Sequence, residues 1–345
     1  MTATIDQSKI GVDGAPASGR QQGTPPAPKV KPTRDPRYLA LRNFAISISV
    51  FNILGYTVLG FEQPWLWPLL ALATGYGAEI LMEVIQARLE GRRPRFTEGG
   101  PKGFMAFLLP AHITCLAVNM LLYANSNIWP VLFGVVVAIV QKAIFQAPIK
   151  GRMRHFMNPS NFGITVTLLL FPWVSIAPPY HFTENVNAFF RLAIPMVIIT
   201  AGTVLNATLT KKVPLIVGWL GGFVIQAVLR WAIWDVALYS ALAVMSGVAF
   251  VLFTNYMITD PGTSPFAARA QFMFGAGVAM VYGVLMVFNI VYTLFFAVTI
   301  VCAVRGVGWW IAHFRAKRKE RLAAALPEPE RSIPMAGKSE AVVSA

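Results

Sequence analysis

Met157-Asn158-Pro159-Ser160-Asn161-Phe162-Gly163 is a short polar, proline-bearing turn set between apolar runs, and the chain holds a second stretch of the same kind. That stretch is Met257-Ile258-Thr259-Asp260-Pro261-Gly262-Thr263-Ser264-Pro265, and the chain resumes at Phe274-Gly275 as the first resumes at Phe162-Gly163. A polar backbone break beside a membrane span is costly unless it is buried in protein or lines a cavity. Two related breaks therefore point to a built site.

The composition around them is that of a membrane protein. Of 345 residues, 56% are hydrophobic and 13% charged, with mean hydropathy +0.58, whereas a soluble domain carries roughly 25% charged residues. A hydrocarbon core of about 30 Å needs around 20 apolar residues per helix, which divides the chain into about ten spans. They are expected near Leu39 to Phe61, Trp65 to Ile85, Phe104 to Ala124, Trp129 to Gln146, Phe162 to Ile176, Phe189 to Leu209, Val213 to Leu229, Val236 to Met257, Phe272 to Phe288 and Ile290 to Ile311. The fifth is short enough to be tilted or re-entrant. The expected fold is an all-α polytopic membrane protein, with a transmembrane domain over residues 37–314. Residues 1–36, rich in Gly and Pro and without an apolar signal-like run, read as a disordered basic cytoplasmic arm, and 315–345 as a basic, then disordered, cytoplasmic tail.

The formal charge of +14 suggests nucleic acid only until the cations are placed. With a cytoplasmic N-terminus, the inner loops hold Arg88, Arg92, Arg93, Arg95, Lys102, Lys150, Arg152, Arg154, Lys211, Lys212 and Arg269, and the outer loops only Arg191 and Arg230. This is the positive-inside pattern of a plasma-membrane protein with both termini cytoplasmic, its partner the lipid bilayer and not a nucleic acid. Cys115 and Cys302 lie within predicted spans, and no Cys-x-x-Cys or His-Cys cluster offers a metal site. Trp65, Trp67, Trp129, Trp231, Trp234, Trp309 and Trp310 fall at span ends, as an aromatic belt does.

Spans three to five and seven to nine share a plan: a long apolar helix, an outer turn, a second helix, the polar break, and re-entry at Phe-Gly. This suggests a weak internal repeat. In the first break Pro159 suits the first turn of a helix and Asn158 or Ser160 its cap. The exposed amides then either bind a phosphate or ring edge, or are merely capped at an interface. Gly163 permits close approach of a ligand or of a second helix. The second break offers Thr259, Asp260, Thr263 and Ser264 as hydrogen-bonding groups, with Arg269 the nearest cation to Asp260 in the sequence.

Together these motifs resemble the RnfD/NqrB family, the flavin-carrying membrane subunits of ion-translocating electron-transport complexes. The resemblance rests on Asn158-Pro159 with Gly163, on Thr259-Asp260-Pro261-x-Thr263-Ser264-Pro265, and on Phe274-Gly275. Tyr256-Met257-Ile258-Thr259-Asp260-Pro261 and Val281-Tyr282-Gly283-Val284-Leu285-Met286-Val287-Phe288 are most similar to the branch found in enediyne biosynthesis clusters. It implies transmembrane ion and electron transport, partner electron-transport subunits, and a flavin near Asn158, Pro159, Ser160, Gly163, Thr259, Asp260, Thr263 and Ser264. Family members esterify FMN to a threonine of Ser-Gly-Ala-Thr in the outer loop after the Asn-Pro helix. Here that loop is Ala177-Pro178-Pro179-Tyr180-His181-Phe182-Thr183-Glu184-Asn185 and the motif is absent. Covalent FMN is not expected; Thr183 has the position without the small neighbours. A non-covalent FMN or riboflavin is one reading, and a transport or self-resistance protein that kept the fold without the cofactor is the other.

An ion path needs ionisable groups within the membrane. Glu79 and Glu83 stand four apart on the second span and share a helix face. His112 lies in the third span and Lys142 in the fourth, and Lys142 is the natural partner of one glutamate. The alternative is a structural tether, or snorkelling of Glu83 and Lys142 to the interface.

Overall fold

The computed structural model describes residues 36–149, 151–178 and 182–324. The N-terminal arm, Lys150, Pro179 to His181 and the tail beyond Ala324 lie outside the described residues. All ten apolar segments are helical, but they are not ten equal spans.

Among the described residues seven helices are long and apolar enough to cross a membrane. They are α1 (Pro36–Leu54, continued by a π turn over Gly55–Leu59), α2 (Trp67–Leu89), α3 (Gly100–Leu121), α6 (Ala188–Leu205, with a π turn over Asn206–Thr210), α7 (Val213–Trp234), α10 (Ala268–Val287) and α11 (Thr293–Ala324). Their outward faces carry Leu69, Leu81, Val197, Val217, Ile225, Val284 and Val304, all exposed. In water such a surface is untenable; in lipid it costs nothing. The molecule is an all-α multi-pass membrane protein.

The remaining three segments depart from simple spans. The eighth predicted span is broken into α8 (Leu238–Ala243) and α9 (Val248–Leu252, with a π turn over Phe253–Met257), bent by 64° about Gly247. Together the pair is apolar and long enough to count as one broken crossing. α4 (Trp129–Ile144) has 16 residues and α5 (Pro159–Leu170) has 12. At 1.5 Å per residue they are about 24 and 18 Å long, too short to cross alone.

α4 and α5 instead form a helical hairpin held at both ends by strands. At the turn, β2 (Gln146–Ile149) pairs antiparallel with β3 (Arg152–His155) in register Gln146↔His155. At the open end β1 (Leu122–Tyr123) pairs with β4 (Ser175–Ile176), tying the exit of α5 to the exit of α3. The Trp310 indole donates to the Gln146 carbonyl at 3.0 Å and pins the turn to α11. α11 continues to Ala324, so the basic run Arg315 to Arg321 is helical.

Two small-residue contacts set the packing. On α7, a Cβ at Gly218 would meet the Phe272 carbonyl oxygen, and one at Gly275 on α10 the Leu215 carbonyl. Over this contact lies an aromatic cluster of Trp219, Phe223, Phe250, Phe253 and Tyr282. Trp219, buried and apart from the belt tryptophans, donates its indole N–H to Thr254 Oγ1 at 2.9 Å. The two repeat units thus close differently. Gly275 packs on the first helix of its unit, α7, whereas Gly163 packs on the second, against the Gly134 carbonyl of α4.

Candidate functional site

The two polar breaks meet. Asn158, the N-cap of α5, accepts the Asn161 backbone N–H on Oδ1 at 3.1 Å and donates from Nδ2 to the Met257 carbonyl at 3.0 Å. One side chain therefore starts a helix in one break and holds the other. Asn161 continues the join, donating from Nδ2 to the Phe295 carbonyl (2.9 Å) and Thr299 Oγ1 (2.8 Å) of α11. Losing Asn158 removes a cap worth about 1 kcal/mol and a buried hydrogen bond worth about 1 kcal/mol more. Asn158→Ala should therefore lower stability by about 2 kcal/mol in detergent unfolding.

Most polar groups of the second break are spent on the break itself. Thr259 Oγ1 donates to the Asn255 carbonyl at 2.6 Å, Ser264 Oγ to the Asp260 carbonyl at 2.6 Å, and Thr263 Oγ1 to Asp260 Oδ2 at 2.7 Å. Asp260 Oδ1 accepts the Gly262 N–H at 3.3 Å. Among the described residues no ion pair joins Asp260 to Arg269. The cations that serve this break come from elsewhere: Arg305 of α11 donates to the Thr263 carbonyl at 2.5 Å, and Lys212 donates to the Pro265 carbonyl at 2.6 Å.

Lys212, expected as a loop cation, sits in that loop but is buried, 2% exposed. It lies between two spans with its ammonium against the break and 5.2 Å over the Phe266 ring. Burial pushes its pKa down to about 8; the Asp260 carboxylate pulls the other way and Arg305 adds to the fall. The folded pKa is thus below the ordinary lysine value, so between about pH 8 and 10.5 the unfolded chain binds the proton that the folded chain has released. Stability should rise with pH across that window, and the rise should shrink in Lys212→Met, measured by thermal unfolding in detergent.

Beside the join lies a cavity of about 410 Å³. Ser160 and Met257 reach it from the two breaks, α1 contributes Phe44 and Phe51, the π turn Phe253 and Tyr256, and Tyr282 and Phe295 close it. Tyr256 meets Phe44 and Phe51 edge-on, with ring centroids 5.7 and 5.6 Å away. Among the described residues no charged side chain lines it. Of the eight residues expected around a cofactor, only Ser160 lines this space; Asn158, Pro159, Gly163, Thr259, Asp260, Thr263 and Ser264 do not. Thr183 does not line it, although its neighbour Phe182 does.

The expected ion-path residues resolve into two ion pairs and one hydrogen-bonded histidine. Lys142 Nζ pairs with Glu79 Oε2. Glu83 instead pairs with Arg92 and accepts the Arg95 backbone N–H at 2.8 Å. His112 is held by Tyr76 on α2, at 2.6 Å from Nδ1, and by Ser49 on α1, at 2.7 Å from Nε2.

Sequence reasoning missed Lys212, Arg305, Tyr76 and Ser49. Tyr76 had a local signal, three residues before Glu79 on the same face. Arg305, deep within an apolar helix, had another. Lys212 and Ser49 had none.

No family model matches the chain, and no curated protein matches it significantly.

Proposed function

We propose that this chain is a membrane subunit of the RnfD/NqrB type that holds a non-covalent flavin and takes part in ion or electron transport across the plasma membrane. The observation that carries the reading is the cavity at the meeting point of the two breaks, where the resemblance expects a cofactor. Its volume lies in the range of small-molecule sites, and its aromatic walls suit a flat ring system. The uncharged lining formed by the described residues favours one of the two flavins. An FMN phosphate buried there would lose its hydration without a partner, so riboflavin is the better occupant. The positive-inside distribution supports cytoplasmic termini, and the Tyr256 to Pro261 stretch the enediyne-cluster branch.

A second reading is favoured by the same neutrality and by the missing Ser-Gly-Ala-Thr: an exporter or self-resistance protein whose cavity takes an apolar substrate. The absorption spectrum of protein extracted in mild detergent decides between them. Bound flavin, lost when Ser160→Trp fills the cavity floor, supports the redox reading. A colourless protein that takes up neither riboflavin nor FMN sinks it and leaves the transport reading.

A further inference from the structure

We propose that the α1–α4 half carries a proton path, separate from the ligand cavity, running from a second cavity through His112 and Tyr76 to Glu79 with Lys142. This rests on the reading of the chain as a membrane subunit that takes part in ion transport and names the ion. The second cavity, about 390 Å³, runs past Trp65, Tyr56 and Asn52 to Ser49 and His112. Asn52 is 4% exposed, donates from Nδ2 to the Ile48 carbonyl at 2.9 Å, and leaves Oδ1 buried without a partner. A buried oxygen of this kind beside a cavity is where an ordered water binds.

The hydrogen bonds at His112 have a direction. The Ser49 hydroxyl lies 2.8 Å from the Ala45 carbonyl and has one proton to give, which that carbonyl takes. Ser49 Oγ is then an acceptor toward the imidazole, which assigns the proton to Nε2 and makes Nδ1 the acceptor of the Tyr76 hydroxyl. One shift along this chain moves a proton from Tyr76 to Nδ1 while Nε2 passes its own to Ser49 Oγ, whose hydroxyl proton swings from the Ala45 carbonyl to water in the cavity. Rotation or tautomer exchange of the ring restores the starting state. Tyr76 is resupplied by the Lys142 ammonium through the Glu79 carboxylate that it is paired with; Glu79 stands three residues on from Tyr76 and Glu83 four further, so successive members share one face of α2 with Cβ atoms about 5–6 Å apart. The face descends about 10 Å from Tyr76 to Glu83, ending at Arg92 and Arg95.

The same groups argue against sodium. Sodium needs a shell of several oxygens free to coordinate it, yet each carboxylate here already holds a cation, Lys142 or Arg92. A lysine beside the carboxylate repels a metal ion but can hand on a proton.

The test uses the full chain reconstituted in liposomes with an entrapped pH-sensitive dye, a potassium gradient and valinomycin. Potential-driven proton flux above that of protein-free vesicles is expected, with at least a tenfold loss in Tyr76→Phe, which keeps the ring and its packing. Glu79→Gln should lose flux as well; if it fails to fold, Tyr76→Phe decides alone. Flux equal to empty vesicles, flux unchanged in Tyr76→Phe, or uptake of radioactive sodium overturns the path. Flavin content of the same samples separates the two ideas. Flavin without proton flux leaves the redox reading standing and removes the path, and flux without flavin does the reverse.

Discussion

Gly275→Ala will destabilise the membrane domain by about 3 kcal/mol, the upper end of the range for overpacking, because the added methyl has nowhere to go. A Cβ at Gly275 lies 2.3 Å from the Leu215 carbonyl oxygen and 2.7 Å from the Trp219 nitrogen, both backbone atoms of α7. A side chain could turn aside; a helix backbone must move bodily. Moving α7 away from α10 also disturbs Trp219 and its bond to Thr254, which anchors the π turn leading into the second break. Gly277→Ala, two residues on, is the control. A Cβ there meets nothing within 4 Å, so replacing glycine inside a helix should stabilise by about 0.5–1 kcal/mol. Unfolding midpoints of the two variants in one detergent should move in opposite directions. A Gly275→Ala protein as stable as wild type would mean that the helices are not packed this closely.

Lys142→Met will cost about 3–5 kcal/mol, since it leaves the Glu79 carboxylate inside the protein without its counter-charge. The paired variant Glu79→Gln with Lys142→Met should recover most of that loss, because the desolvation penalty disappears along with the attraction. Glu83→Gln should cost far less, about 1 kcal/mol. Its partner Arg92 is 26% exposed and keeps a second bridge to Glu90. If Lys142→Met and Glu83→Gln prove equally mild in unfolding measurements, the Glu79–Lys142 pair reaches water more freely than its position implies.

The fold was legible because lipid leaves a coarse and redundant signature: apolar runs of fixed length, tryptophans at their ends and cations on one side. What hydropathy cannot register is where a run bends or stops short. Gly247 breaks one apolar stretch by 64° without a change in polarity. α5 ends at Leu170 although apolar residues continue to Ile176, because Pro172 lacks the N–H that a helix interior needs. The breaks stood out as proline-rich interruptions, and the N-cap role of Asn158 follows from its place before Pro159. Their meeting was illegible, since the bond from Asn158 to Met257 joins residues 99 apart. Equally hidden was that Thr259, Thr263 and Ser264 spend their hydroxyls within the break. A threonine facing a ligand and one facing its own carbonyl read alike in a sequence.

The shortness of α4 and α5 also bears on how the chain enters the membrane during synthesis. A 12-residue segment is too brief to be recognised and partitioned into lipid on its own. The translocation machinery must therefore release α4, the β2–β3 turn and α5 as one package, with Arg152 and Arg154 at its tip. Besides β4 on β1, that package is held by the Lys142 bridge to Glu79 on α2 and by the Trp310 bond to Gln146 from α11, so its placement is completed only once α11 has been made.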